Sequence, residues 1–203
     1  MSTALLWQPS LFGSTPTEGE HDLSFARAER SHLGSGAWID QVPGWAAGGD
    51  ALFDELRAAA PWQEAERPMY DRIVAVPRLH TGVWDDPPSR LREMADAVSL
   101  RYDRDLRTIS ANLYRDGADS VAWHGDRVGR VRAVTVVAIL TLGSSRRLLM
   151  RPSGGGRSLS FEPAPGDLFV MGGTCQRTWE HSVPKRARAG PRICVMFREP
   201  GGN

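Results

Sequence analysis

The residues with the clearest capacity for chemistry lie in Trp123-His-Gly-Asp-Arg127 and in Thr178-Trp-Glu-His-Ser-Val-Pro184. The first contains His-x-Asp. In extended backbone, side chains two residues apart point to one face, so His124 and Asp126 can approach a single ion together. His181, on a later β-rich segment, is the candidate third ligand. Two imidazoles and one carboxylate on one face leave three positions of an octahedral ion open, an arrangement suited to iron(II) and O2. Neutral imidazole suits zinc as well, so the triad alone leaves the metal open. The chain has five His, and ordinary polar residues are the competing explanation for any one of them.

A second pattern narrows the choice. Arg192-Ile-Cys-Val-Met-Phe-Arg198 places two arginines at the same parity of one strand, facing the same side as Cys194 and Met196. The strand between them spans roughly 20 Å. Two long side chains folding inward could close on a five-carbon dicarboxylate through bidentate guanidinium–carboxylate pairs. Buried arginine on a core strand is expensive unless an anion accompanies it. Asn112 and Tyr114 share a face of an earlier strand and add neutral donors suited to carboxylate oxygens. An exposed edge strand with alternating charge is the alternative for the arginine pair.

The elements that must position these groups follow from periodicity. Leu52, Phe53 and Leu56 recur at helical spacing ahead of Pro61, and Leu91, Met94, Ala95 and Val98 do so over residues 90–102. Ile73-Val-Ala-Val-Pro77 reads as a short strand between them. From about residue 105 the character changes to short β-rich segments: 106–115, 133–142, 147–151, 158–161, 167–171, 174–183 and 192–198. Seven strands with no helix between them predict an antiparallel sandwich or barrel, with the preceding helices packed outside one sheet. Residues 1–35 are expected to be mostly extended or mobile.

Composition bounds the class. The chain has 203 residues, 41% of them hydrophobic, a net charge of +1 and two Cys. That suits one well-packed domain and excludes a disulfide framework. No apolar run reaches the roughly 18–20 residues of a membrane-spanning helix, and no secretory signal is visible, so a cytoplasmic protein without a membrane partner is expected. Charge is segregated. Residues 1–100 carry 8 Arg against 15 Asp and Glu, whereas residues 101–203 carry 16 Arg and one Lys against 9. A basic second half points to a polyanionic partner.

Taken in order, Asn112-Leu-Tyr-Arg-Asp-Gly117, His124-Gly-Asp126, Gly166-Asp-Leu-Phe-Val-Met-Gly-Gly173, Gln176-Arg-Thr-Trp-Glu-His-Ser-Val-Pro184 and Arg192-x5-Arg198 resemble the AlkB family of nucleic-acid dealkylases over roughly residues 60–199. Pro61-Trp62 and Pro77-Arg78-Leu79 fit the same resemblance. It implies an α+β, mainly β fold: a double-stranded β-helix (jelly-roll) core with N-terminal helices on one sheet. It also implies a single dioxygenase domain over residues 36–203, with a lid and helical part at about 36–104 and a barrel at about 105–199. The implied cofactors are Fe(2+) and 2-oxoglutarate, with O2 as cosubstrate. His124, Asp126 and His181 would hold the iron. Arg192 and Tyr114 would bind the distal carboxylate of 2-oxoglutarate, with Asn112 and Arg198 near its iron-bound end.

The implied reaction is oxidative dealkylation of bases such as N1-methyladenine and N3-methylcytosine in DNA, with RNA left open. No obligate protein partner is evident. Such a base must be flipped out or single-stranded. Trp62, Tyr70 and Trp84 are candidate stacking groups, together with the His124 ring. Arg127 and Arg130, with Arg132, Arg146, Arg147, Arg151 and Arg157, are candidate phosphate contacts. The alternatives are a dioxygenase of the same superfamily acting on a protein side chain or a lipid, and a catalytically silent nucleic-acid-binding β-sandwich.

Overall fold

The structure, a computed structural model, describes residues 21–69, 72–126 and 128–201. Its elements are β1 (Glu29–Gly34), β2 (Ala37–Val42), α1 (Gly49–Ala59), β3 (Glu66–Met69), β4 (Arg72–Ala75), β5 (Leu79–His80), α2 (Ser89–Tyr102), β6 (Thr108–Tyr114), β7 (Val121–His124), α3 (Val128–Val131), β8 (Thr135–Gly143), β9 (Leu148–Pro152), β10 (Leu159–Phe161), β11 (Leu168–Gly173), α4 (Cys175–Thr178), β12 (Trp179–Val183) and β13 (Arg192–Arg198). A seven-stranded sheet runs β1-β2-β11-β8-β13-β6-β5. A four-stranded sheet runs β10-β9-β12-β7, and β3-β4 forms a separate hairpin. Every pairing within them is antiparallel. This is the expected jelly-roll core.

Period-2 alternation divides the large sheet into two faces, each with its own core. Val136, Ala138, Leu140 and Leu142 of β8, with Ile193, Val195 and Phe197 of β13, meet Leu52, Phe53 and Leu56 of α1 and Leu91, Met94 and Val98 of α2. The odd positions Val137 and Ile139, with Cys194 and Met196, turn inward to Leu148, Met150 and Val183 of the small sheet. All nine residues of β8 are therefore buried. The helices end where their residues require it. Ala60, preceding Pro61, has extended backbone (ψ 145°), and Asp103 closes α2 in the left-handed region (φ 51°). Among the described residues, no helix is long and apolar enough to cross a membrane.

One local expectation needs correction, and two elements go beyond it. Residues 174–183 do not form one strand. Thr174 accepts bonds at its carbonyl from the backbone N–H of Arg177 and Thr178 and from the Thr178 hydroxyl, so a short helix precedes β12. Of residues 1–35, those before residue 21 lie outside the described residues, and the part from residue 29 is extended and enters the large sheet as β1. It turns at Gly34-Ser35-Gly36, all at positive φ, into β2, which pairs with β11. The β2 alternation is masked by Asp40, buried at 1% exposure, which accepts two bonds from Arg30 at 2.7 and 2.8 Å and one from the Tyr102 hydroxyl at 3.0 Å. The strand β7, which delivers His124, is also absent from the sequence reading.

Candidate metal and cosubstrate site

His124 ends β7 and His181 lies in β12, and the two are direct partners in the antiparallel register of the small sheet. Their ring centroids are 4.2 Å apart. Asp126 lies two residues past the end of β7, in the loop before α3, so the His-x-Asp pair is split between strand and loop. The potential ligand atoms of the three residues lie within 4.8 Å of one another. Asp126 Oδ1 is 3.8 Å from His124 Nε2 and 4.0 Å from His181 Nε2. His124 Nδ1 is 2.9 Å from the Ala122 carbonyl. A carbonyl only accepts, so Nδ1 carries the proton and the Nε2 lone pair is left for an ion.

Electrostatics keep these groups in ligand form. Burial acts to raise the Asp126 pKa, but Arg198, His181 and His124 outweigh it and hold the carboxyl below its ordinary value. Burial, followed by the His124 charge, pushes His181 down to about 3 against the pull of Asp126, so its imidazole is neutral at neutral pH. Arg198 donates from Nε to Asp126 Oδ2 at 3.1 Å and from Nη1 to Ser110 Oγ at 2.9 Å. That engages one carboxylate oxygen and leaves Oδ1 toward the histidines.

The large sheet supplies the facing wall. Tyr114 pairs with Arg192, and Asn112 with Cys194, across β6 and β13. A cavity enclosing about 510 Å³ of empty space, its open mouth included, is bordered by the triad and by Asn112, Tyr114, Arg192 and Arg198. All seven proposed metal and cosubstrate residues thus border one space. Arg192 is 1% exposed. Its Nη2 donates to Thr141 Oγ1 at 3.2 Å, while Nε and Nη1 are buried without a partner. The Arg192 and Arg146 guanidinium carbons lie 5.7 and 5.8 Å from the centroid of the Tyr114 ring. Burial pushes the Tyr114 phenol up to about 12, so it stays a neutral donor. A buried cation with two idle donor nitrogens fits an anionic carboxylate. Two imidazoles and a carboxylate fit a ferrous ion.

A groove opens at the metal end, bordered by Arg78, His80, Val83, His124, Asp126 and Arg130 among others. Arg192 and Tyr114 do not border it, so they sit away from the entrance. Trp62 and Trp84 border neither space. Both pack against the helical core, and Trp62 donates to the Arg57 carbonyl at 3.2 Å. Part of their apolar area packs behind the sheet, away from the cavity and the groove. Tyr70 and Arg127 lie outside the described residues. Arg130 is exposed at the groove. Three other candidate phosphate contacts are already engaged. Arg146 is buried and donates to the carbonyls of Asp116, Asp119 and Pro184; Arg132 pairs with Glu199; and Arg151 pairs with Glu180 over the Trp123 ring.

Sequence reasoning passed over Thr141, Ser110, Arg78, His80 and Gln176. Thr141 had a signal, since it shares the inward parity of Val137 and Ile139. Arg78 lies in the Pro-Arg-Leu element but had no role attached to it. It borders both the cavity and the groove, and its Nε is buried without a partner.

Residues 46–198 match the 2OG-Fe(II) oxygenase superfamily. Among curated proteins, the chain is 30% identical over 159 residues to the human alpha-ketoglutarate-dependent dioxygenase alkB homolog 3, covering 73% of this chain and 53% of that protein. It is 31% identical over 191 residues to the Arabidopsis thaliana DNA oxidative demethylase ALKBH2, covering 72% and 60%. The chain therefore spans somewhat over half the length of these relatives. Among solved structures, it is similar to a 2OG-Fe(II) oxygenase family oxidoreductase from Burkholderia pseudomallei, with a TM-score of 0.54 and 14% identity over 79% of this chain and 84% of that one. That likeness concerns the fold.

Proposed function

Because the chain belongs to the 2OG-Fe(II) oxygenase superfamily, we propose that it uses iron(II) and 2-oxoglutarate to remove alkyl groups from bases in DNA. His124, Asp126 and His181 hold the metal. Arg192 and Tyr114 bind the distal carboxylate of 2-oxoglutarate, with Asn112 and Arg198 toward the metal end. The observation that carries the cosubstrate assignment is the Arg192 guanidinium, buried with two unpartnered donor nitrogens beside the cavity that the triad borders. The choice of DNA rests on the relatives named as an alkB homolog and a DNA oxidative demethylase.

When bound, the metal, 2-oxoglutarate and O2 supply an oxidation that converts 2-oxoglutarate to succinate and CO2 and hydroxylates the target carbon. The protein positions and excludes. Arg192 anchors the dicarboxylate far from the entrance, and Ile139, Leu148, Phe169 and Met196 line the cavity with apolar surface that keeps water out. The hydroxylated N-methyl carbon then leaves as formaldehyde, returning the base. A target base enters from the groove, flipped or single-stranded. His80 and His124 carry the two rings among the described residues that border the groove, and Arg130 is its exposed cation.

The test is incubation with iron(II), 2-oxoglutarate and oligonucleotides bearing N1-methyladenine or N3-methylcytosine, as single- and double-stranded DNA and RNA. Formaldehyde matched to succinate, and lost in Asp126→Ala, is expected with DNA. Succinate without formaldehyde from any oligonucleotide would overturn the substrate and favour a protein or lipid target.

A further inference from the structure

The metal site is assembled from two separate stretches of chain, and its third ligand lies outside the ladder that joins the other two. The ladder that pairs His181 with His124 fixes the two histidines relative to each other. It does not reach Asp126, which lies beyond the end of β7. We propose that Gln176 is the positioning residue that holds Asp126 in register with the histidines.

Gln176 is 6% exposed, on the short helix that runs directly into the strand of His181. Its Oε1 accepts the backbone N–H of Asp126 at 2.8 Å. Its Nε2 lies 3.5 Å from Met171 Sδ on the core side. The reverse amide orientation would set an NH2 against an N–H, so the acceptor must face Asp126. The backbone of the same residue meets the loop a second time. A Cβ at Gly125 would stand 2.6 Å from the Gln176 carbonyl oxygen, and one at Gly129 would stand 2.5 Å from it. Side chains essentially never come that close, so Gly125 and Gly129 lie on the Gln176 backbone as only glycine can at both places. Asp126 Oδ2 is held by Arg198, and Oδ1 is aimed between the imidazoles. The remaining freedom of that oxygen is where its own backbone sits, and Gln176 restrains that.

The inference rests on the His-Asp-His metal site and is independent of the nucleic-acid substrate. Its test is Mn(II) binding to the full chain, followed by electron paramagnetic resonance of the free ion, with Mn(II) standing in for oxygen-sensitive iron. Gln176→Met keeps length and burial but removes the acceptor. It is expected to weaken Mn(II) binding by about 10–100-fold, the range typical of residues that orient metal ligands. Thr178→Val on the same helix loses its bond to the Thr174 carbonyl without touching Asp126, and is expected to keep the affinity within about twofold.

Gly125→Ala, which forces the loop off Gln176, is expected to weaken binding as Gln176→Met does. It carries the test if Gln176→Met fails to fold. Unchanged affinity in the folded variant would overturn the proposal, as would equal weakening in Thr178→Val, which would mark general loosening of the helix. Absence of Mn(II) binding by the wild type would sink the metal site itself, a separate outcome.

Discussion

Arg192→Met should move stability and cosubstrate affinity in opposite directions. In the protein without cosubstrate, the Arg192 guanidinium is buried at 1% exposure with one bond, to Thr141 Oγ1, and two unpartnered nitrogens, Nε and Nη1. It also faces a like charge. Arg146 has its pKa lowered by burial first and by Arg192 second. Replacing a poorly compensated buried charge with an apolar chain of similar length typically gains about 1–4 kcal/mol. The Thr141 hydroxyl, itself fully buried, loses its partner, which takes back about 1 kcal/mol. With roughly 2–4 °C per kcal/mol for a chain of this size, the melting point should rise by several degrees.

With cosubstrate the order reverses. Removing one partner of a buried charge-assisted pair costs about 2–5 kcal/mol, or roughly 30-fold to several-thousand-fold in Kd. At 2-oxoglutarate near 100 times its Kd, the wild type gains about 2.7 kcal/mol, again several degrees, while the variant gains less than about 1 kcal/mol. Melting the Mn(II)-loaded proteins with and without 2-oxoglutarate reads both effects in one experiment. A variant that melts lower than wild type without cosubstrate, yet shows the same upward shift with it, would refute the reasoning. Arg192 would then be a structural cation.

Three further outcomes follow from particular contacts. Burial acts to raise the Asp119 pKa, but bonds from the Arg115 side chain and backbone outweigh it and hold the carboxyl below its ordinary value. Its stabilisation is therefore present above the ordinary carboxylate pKa and lost as pH falls through the depressed one. Asp119→Asn should cost about 1–3 kcal/mol in urea unfolding at pH 7, and a cost that persists undiminished in acid would contradict this. For His80, stacking worth about 1–3 kcal/mol predicts that His80→Ala raises KM for a methylated oligonucleotide by roughly 5–150-fold, with His80→Phe near wild type. Equal KM for all three would remove the ring from substrate binding. Arg130→Ala should reduce the slope of log K against log salt for single-stranded DNA by about 0.7, and an unchanged slope would mean that Arg130 meets no phosphate.

Residues governed by strand parity were the readable part of this site. Asn112 and Tyr114, Arg192 and Arg198, and the core face of β8 all follow from alternation in strands long enough to show it, and each faces as its parity requires. That rule says nothing about the candidate stacking groups. Trp62 and Trp84 precede the barrel in segments too short to assign a face, and the nearest large apolar surface was the back of the sheet, under the two helices. Counting arginines meets a related limit. Arg132, Arg146 and Arg151 look alike in sequence, but each has an internal acceptor on a segment distant in the chain.

The same distinction explains why the triad was legible while its geometry was not. His124 and His181 are cross-strand partners, and pairing puts their rings together whatever the surrounding loops do. Asp126 follows no ladder, and the argument from extended backbone names a residue whose carboxylate does stand beside both histidines although its segment is a loop. What places that carboxylate is a side chain fifty positions later in the chain, on a helical turn read as strand, over two glycines whose small size is needed only because the chains cross there. Residue type can announce a ligand because the metal's chemistry restricts the choice to a few side chains. Its support can be any group that reaches, so it shows itself only after the chain is folded.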